Sequence, residues 1–344
     1  MVAVGGRTGQ ATRGGARRAH RLLAAAMWLT FGGGAAQAVD PPTPVTLQLS
    51  WTHQAHFGGF YVADRQGLYA RQGLSVRFLE GGPNADLIAP LADGRAQFGI
   101  AAAPELIITR AGGKPVRAIA TILRRSPTVY VSKADHLIRR PEDFVGKTIR
   151  VTAVDTANLR AMMSRARIRP EQYRLVTLPS DVELFASGAA DVWSVYVNNF
   201  AVTLEELGHK LNYVYPDDYG VHFYADTLFT TDALVAERPD LIRRFVRASL
   251  DGWTIAVEEP SLVGQLTRTY DPKAYPALEA RKMRATQALV NTGEDRIGWM
   301  REPRWTQMTR LLDEQGLLPN PVRATDVFTM AFLHEIYGHN PETR

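Results

Sequence analysis

The chain has 344 residues, no cysteine and a formal net charge of +5, from 40 Lys+Arg against 35 Asp+Glu. A cysteine-free sequence excludes a disulfide framework, a thiolate metal site, a cysteine nucleophile and a lipid-modified cysteine. The positive balance lies in the first 38 residues, where Arg7, Arg13, Arg17, Arg18 and Arg21 stand without an acid; the remainder is neutral at 35 against 35, which removes the electrostatic case for a nucleic-acid partner.

Those 38 residues continue into the apolar run "LLAAAMWLTF" and end in Ala36-Gln37-Ala38, the layout of a secretory signal. Cleavage is expected after Ala38, and Arg17-Arg18 leaves the general and the twin-arginine export routes open. The apolar run is too short to span a bilayer, so the mature protein is expected to be extracytoplasmic (periplasmic) and not membrane-embedded. The roughly 300 residues that remain suggest two domains.

Past the linker "VDPPTPV", strand-type runs alternate with helical patterns. "VTLQLSW" predicts a strand with Leu47 and Leu49 in the core, "GFYVADRQGLYARQG" a helix ending at Gly73, and "LSVRFLEGG" a second strand. "PNADLIAPLADG" reads as a helix, "AQFGIAA" as a strand, "PELIITRAGGKP" as a helix, and "VRAIATILRRSPTVYVSK" returns to strand. Such alternation predicts a parallel sheet covered by helices. "GKTIRVTAV", "YRLVTLP" and "AADVWSVYV" repeat the pattern as a second α/β lobe. From Pro239 onward the register changes to amphipathic helices: "PDLIRRFVRASLDGWTIAVEEP", "YPALEARKMRATQALV", "EPRWTQMTRLLDEQG" and "TDVFTMAFLHEIY".

Enzyme and metal motifs are missing. No serine sits in a G-x-S-x-G elbow. "HEIYGH" has one residue too many for the zinc-protease H-E-x-x-H. His53 and His56 lack a third ligand and more simply hydrogen-bond or face water. No metal, cofactor or catalytic residue is therefore assigned. What remains are aromatic and polar groups at strand-to-helix junctions, where open α/β sheets bind ligands. Trp51, His53 and Tyr61 lie at the first junction, with Gly58-Gly59 expected to let the turn approach a ligand. Glu105 lies at another, just inside a helix start. Tyr196, Asn198 and Asn199 form a third, and "DYGVHFYADTLF" supplies Tyr219, His222, Tyr224 and Asp226.

The stretches "LSWTHQAHFGGFYVADRQGLYARQGLSVRFLEGG", "LADGRAQFGIAAAPELI", "AGGKPVRAIATIL", "FVGKTIRV", "YGVHFYADTLFTT" and "RFVRASLDGWTIAVEEP", in this order, resemble the NMT1/THI5-like extracytoplasmic substrate-binding proteins. The resemblance implies a bilobal α/β clamshell of the type II periplasmic-binding-protein class with two crossovers. It also implies a small-molecule ligand handed to the permease and ATPase of an ABC importer. Relatives bind thiamine pyrimidine precursors, riboflavin, alkanesulfonates or taurine. Other relatives are pyrimidine synthases that use pyridoxal phosphate on a lysine and consume a histidine beside a cysteine-rich motif. Those positions fall here on Ala101, Glu105 and the cysteine-free "YGVHFYADTLF", so synthase chemistry is not expected. Many binding relatives carry Asn-Glu-Pro where this chain has Asn199-Phe200-Ala201, so Glu105 or Asp226 replaces that glutamate or the ligand is no aminopyrimidine.

The expected boundaries are a signal peptide at 1–38, a discontinuous lobe from 45–128 plus 228–340, and a second lobe at 129–227. Trp51 and Tyr61, with Tyr196 or Tyr224 opposite, are expected to sandwich a flat heterocycle, best a thiamine pyrimidine precursor. His53 joins that pocket, and Glu105, Asn199, His222 and Asp226 supply directional hydrogen bonds. A sensing partner of a signalling protein is the alternative to an importer component.

Overall fold

A computed structural model describes residues 41–83, 85–152 and 155–338; the leader and His339 of "HEIYGH" lie outside the described residues. In lobe 1, β1 (Thr43–Gln48) is followed by α1 (Gly58–Arg65), α2 (Leu68–Arg71), β2 (Leu74–Leu79), α3 (Ala89–Ala92), β3 (Phe98–Ala102), α4 (Ala103–Ala111) and β4 (Val116–Thr121). The chain then enters lobe 2 with β5 (Thr128–Lys133), β6 (Thr148–Arg150), α5 (Thr156–Arg165), β7 (Arg174–Val176), α6 (Val182–Ser187), β8 (Val192–Tyr196), α7 (Phe200–Glu206) and β9 (Leu211–Val214). It returns with β10 (Asp226–Thr231), followed by α8 (Asp232–Glu237), α9 (Pro239–Glu258), α10 (Pro260–Tyr270), α11 (Pro276–Val290), α12 (Glu302–Glu314) and α13 (Ala331–Tyr337).

The strand order is β2-β1-β3-β10-β4 in one sheet and β7-β6-β8-β5-β9 in the other. Both sheets are mixed, against the purely parallel expectation: β10 runs antiparallel to β3 and β4, and β5 antiparallel to β8 and β9. The reason lies in the connections. A parallel neighbour needs a helical crossover, whereas β5 and β10 arrive directly from the opposite lobe. The register repeats the plan in both lobes. Asp226, first in β10, faces Ala102, last in β3, and Thr128, first in β5, faces Tyr196, last in β8. Each sheet thus turns the carboxyl ends of its parallel strands toward the two crossings, at 122–127 and 215–225.

Local chemistry explains where the elements depart from the sequence pattern. The first predicted helix breaks at Gly67, whose φ of 69° is left-handed, and stops at Gly73, whose φ is 65°. "PNADLIAPLADG" is helical only over α3, because the Asp86 carboxylate accepts the amide protons of Ile88 (2.9 Å) and Ala89 (3.0 Å) in a turn that competes with a helix. "TDVFTMAFLHEIY" forms a short 3-10 turn, Ala324–Asp326, and α13 rather than one helix.

Leu47 and Leu49 are buried as the alternation predicts. In α9, Leu241, Phe245, Leu250 and Trp253 form a buried stripe. Gly58 and Gly59 sit under α9 and α10 and not against a ligand, which corrects the sequence expectation. A Cβ on Gly59 would lie 2.2 Å from the Trp253 ring, and one on Gly252 would lie 2.3 Å from the Gly59 carbonyl oxygen. These glycines bring two helix backbones into contact. No described helix is long and apolar enough to cross a membrane.

Candidate functional site

At the edge of lobe 1, β3 ends at Ala102 and α4 starts at once, with Pro104 in its first turn and the Ala103 amide donating to the Ala225 carbonyl. Glu105 follows in that first turn, partly buried, with no hydrogen-bond partner among the described residues. A helix start favours its ionised form by about 0.3–1 kcal/mol. Burial outweighs this, aided by repulsion from Asp86 and Asp226, and raises the Glu105 carboxyl to about 7. This group gains from meeting a hydrogen-bond donor or a cation.

Asp226 is already committed. The His56 imidazole donates from Nε2 to its Oδ2 at 2.7 Å, and both side chains are buried. His56 Nδ1 in turn faces Asn198 Nδ2 at 3.1 Å, and that same amide donates to Thr286 Oγ1 at 2.9 Å. Thr286 spends its own proton on the Lys282 carbonyl (2.8 Å), so it can only accept from Asn198. Both protons of the Asn198 amide are thereby assigned, and Nδ1 of His56 must be the unprotonated acceptor. The chain Asp226–His56–Asn198–Thr286 ties the β8–α7 junction of lobe 2 to β10 and α11 of lobe 1. An ion pair between Glu206 on α7 and Arg281 on α11 lies on the same side.

The facing edge of lobe 2 carries Tyr196, Thr128 and Asn158. Burial, together with the nearby Asp155, Asp226 and Glu105 carboxylates, holds the Tyr196 phenol far above its ordinary range, so it stays a protonated donor. Asp155 is buried and accepts from Thr128 (2.8 Å), Thr152 (2.6 Å) and Ser194 (3.0 Å), which fixes the Thr128 hydroxyl. Asn158, in the first turn of α5, buries its Oδ1 without a partner. Tyr196, Thr128 and Asn158 line, with Ala102, Pro104 and Tyr224, a cavity of about 10 Å³ between the lobes. Such a space holds about one water, and with Asn198 and Glu206 of lobe 2 bonded to lobe 1 the two lobes stand closed on each other.

The structure gathers Glu105, Asp226, Tyr196 and Tyr224 and separates the other candidates. Trp51 stays 40% exposed on the loop after β1, where its carbonyl accepts from Gly81, and no ring pairs with it among the described residues. Tyr61 departs from its expected place in the pocket. It is buried, stacked on Tyr270 at 4.2 Å, with its hydroxyl 2.9 Å from His53 Nδ1. The proposed sandwich of Trp51 and Tyr61 is therefore not formed. His53 packs beside Tyr270, and desolvation lowers its pKa. Asn199 occupies the start of α7 without a side-chain cap bond. His222 pairs with Asp217 at 2.6 Å behind the crossings. Tyr224 sets its ring edge-on to Trp305, and its hydroxyl accepts the Arg301 amide proton.

Sequence reasoning missed Asn158 and Thr128 and left His56 marginal. The junction rule that found Glu105 also reaches "DTANL" after β6, whereas the His56–Asn198 contact joins residues 142 apart and has no local signal. Ala101, buried in β3 opposite Thr227, offers a methyl group and no amine. Phe200 lies 6.4 Å from Trp193 in the lobe 2 cluster.

Two α/β lobes with mixed sheets, their strand ends turned toward two crossings, define an α/β solute-binding fold. Residues 54–262 match the family described as NMT1/THI5 like, and the chain belongs to it. It is 27% identical over 294 residues to the formylaminopyrimidine-binding protein of Halalkalibacterium halodurans, covering 83% of this chain and 89% of that one. The riboflavin-binding protein RibY of Chloroflexus aurantiacus is 25% identical, covering 84% and 86% of the two chains. A relative in Legionella pneumophila named 4-amino-5-hydroxymethyl-2-methylpyrimidine phosphate synthase is 24% identical, covering 78% and 88%. The periplasmic aliphatic sulphonate binding protein SsuA of Escherichia coli superposes with a TM-score of 0.69 at 11% identity, over 85% of this chain and 99% of that one.

Proposed function

We propose that this protein is an extracytoplasmic solute-binding protein that takes a small amino-bearing heterocycle, best a thiamine pyrimidine precursor, between its lobes and delivers it to an ABC importer. The observation that carries the reading is Glu105: a partly buried carboxyl without a protein partner, next in sequence to the cavity-lining Pro104 and within electrostatic range of the Tyr196 phenol. Asp226 cannot serve as freely, because His56 holds it. Glu105 is thus the carboxylate available to an exocyclic amine in place of the glutamate that Phe200 replaces. The relatives named for formylaminopyrimidine and riboflavin support a nitrogen heterocycle. With β1–β4, β10 and the C-terminal helices in lobe 1 and β5–β9 in lobe 2, a ligand touching both favours closure by its differential affinity.

A catalytic role is not proposed. A pyridoxal-type Schiff base needs an amine where Ala101 stands. Thermal unfolding against hydroxymethylpyrimidine, its formylamino relative, thiamine, riboflavin and taurine tests the binding reading. The pyrimidines are expected to raise the midpoint; stabilisation by taurine alone would overturn the proposal. An imine absorbance with pyridoxal phosphate that survives dialysis would overturn the non-enzymatic part.

A further inference from the structure

Against the two crossings, with Glu105 absent from its wall, the structure holds a cavity of about 210 Å³, far larger than the space of about 10 Å³ between the lobes. Arg124 and Arg125 enter it from the first crossing, His222 from the second, and Arg301 and Arg304 from the start of α12. Three carboxylates face these four guanidiniums, and they are unevenly shared. Asp295 takes Arg301 in a two-pronged pair (2.8 Å each) and also takes Arg124. Glu294 is mostly exposed and stands 3.7 Å from Arg124. Asp217 accepts from His222 at 2.6 Å and reaches Arg125 only at 3.8 Å. Arg304 has no carboxylate partner among the described residues; its one hydrogen bond there goes to the His222 carbonyl at 3.3 Å. The buried Nε–H of Arg124 has no acceptor. A guanidinium carries five donors, so the wall is rich in donors and short of acceptors.

We propose that this rear cavity is a second ligand site, for a small oxyanion of the phosphate or sulfate type, held chiefly by Arg304 and Arg125. Its occupant meets both crossings at once. Phe223 and Tyr224 line the rear cavity and the cleft alike, and the Tyr224 hydroxyl is fixed by the Arg301 amide. An anion there would bias the relative position of the crossings, and by linkage ligand in the cleft would change the anion's affinity by the same factor.

The test uses the ligand-free full chain, so its outcome is separate from the identity of the cleft ligand. Inorganic phosphate, sulfate and glycerol phosphate are titrated against ionic-strength-matched chloride, with unfolding midpoint and calorimetry as readouts. Phosphate is expected to raise the midpoint by about 2–4 °C over chloride at saturating concentration. Arg304→Gln and the exposed Arg125→Gln should each weaken binding about tenfold or more. A preference for glycerol phosphate over phosphate would identify an organic phosphomonoester as the occupant. No effect beyond chloride, or an effect unaltered in both arginine variants, would overturn the proposal. Selenate located by anomalous scattering gives an independent check: a peak between Arg304 and Arg125 supports the site, and peaks only elsewhere contradict it.

Discussion

Glu105 shows how one side chain can couple ligand, proton and stability. Its carboxyl is raised from 4.5 to about 7, so between those values the unfolded chain has released a proton that the folded protein retains. The neutral form is therefore the favoured folded form below about 7, and its contribution to stability is full below about 4.5, falls as pH rises toward 7 and then levels. The ceiling on this loss is about 3 kcal/mol for the full shift. Glu105→Gln should remove that slope, and unfolding midpoints of both proteins across this window check it. A donor ligand reverses the sign for binding: it needs the ionised form, so affinity should fall by about tenfold per pH unit below about 7. In the variant that fall should disappear. His56 makes a separate prediction at the same scale. His56→Phe leaves Asp226 buried without its partner and should destabilise the fold by about 3–5 kcal/mol in denaturant titrations. Asn198→Ala, which removes a neutral amide that donates two hydrogen bonds, should cost about 1–3 kcal/mol.

Among the elements, the strands and long helices were legible because periodic patterns record burial. Leu241, Phe245, Leu250 and Trp253 mark the inner face of α9, and "AQFGIAA" marks β3. Side-chain turns and tertiary pairings were not legible. Asp86 shortens α3 by capturing two amides, and β10 was unassigned because its hydrogen-bonding partners are β3 and β4, more than a hundred residues earlier. Gly58-Gly59 misled for an instructive reason: a glycine records close approach but not what approaches, and here it is α9 and α10. Gly59→Ala drives a methyl group into Trp253 and should cost at least about 1–3 kcal/mol of stability through overpacking. Tryptophan fluorescence during denaturant unfolding reads this loss directly.

Across the whole molecule, the site divides between what junction logic reveals and what closure assembles. Strand ends pointed to Glu105, Tyr196 and Asp226 in the sequence, but the assignment of Asp226 to His56 and of Tyr61 to the lobe 1 core required the folded chain. Closure places Asn198 against His56 and Thr286, and Glu206 against Arg281. These contacts part if the lobes open, so they favour the closed state before any ligand enters. Charge reversal at Arg281, Arg281→Glu, should shift the ligand-free protein toward the open form, visible as a larger radius of gyration in solution scattering, with weaker ligand binding as the consequence.

On the proposed reading, Glu105 receives a hydrogen-bond donor from a nitrogen heterocycle held between the lobes. Calorimetric titration of the formylamino and hydroxymethyl pyrimidines into the wild-type protein and Glu105→Gln tests it most directly. The wild type is expected to bind, and the variant about ten- to a hundredfold more weakly, since a hydrogen bond to a charged group contributes about 1.5–3 kcal/mol. Equal affinity in the two proteins, or binding of taurine with no response to the pyrimidines, would contradict it.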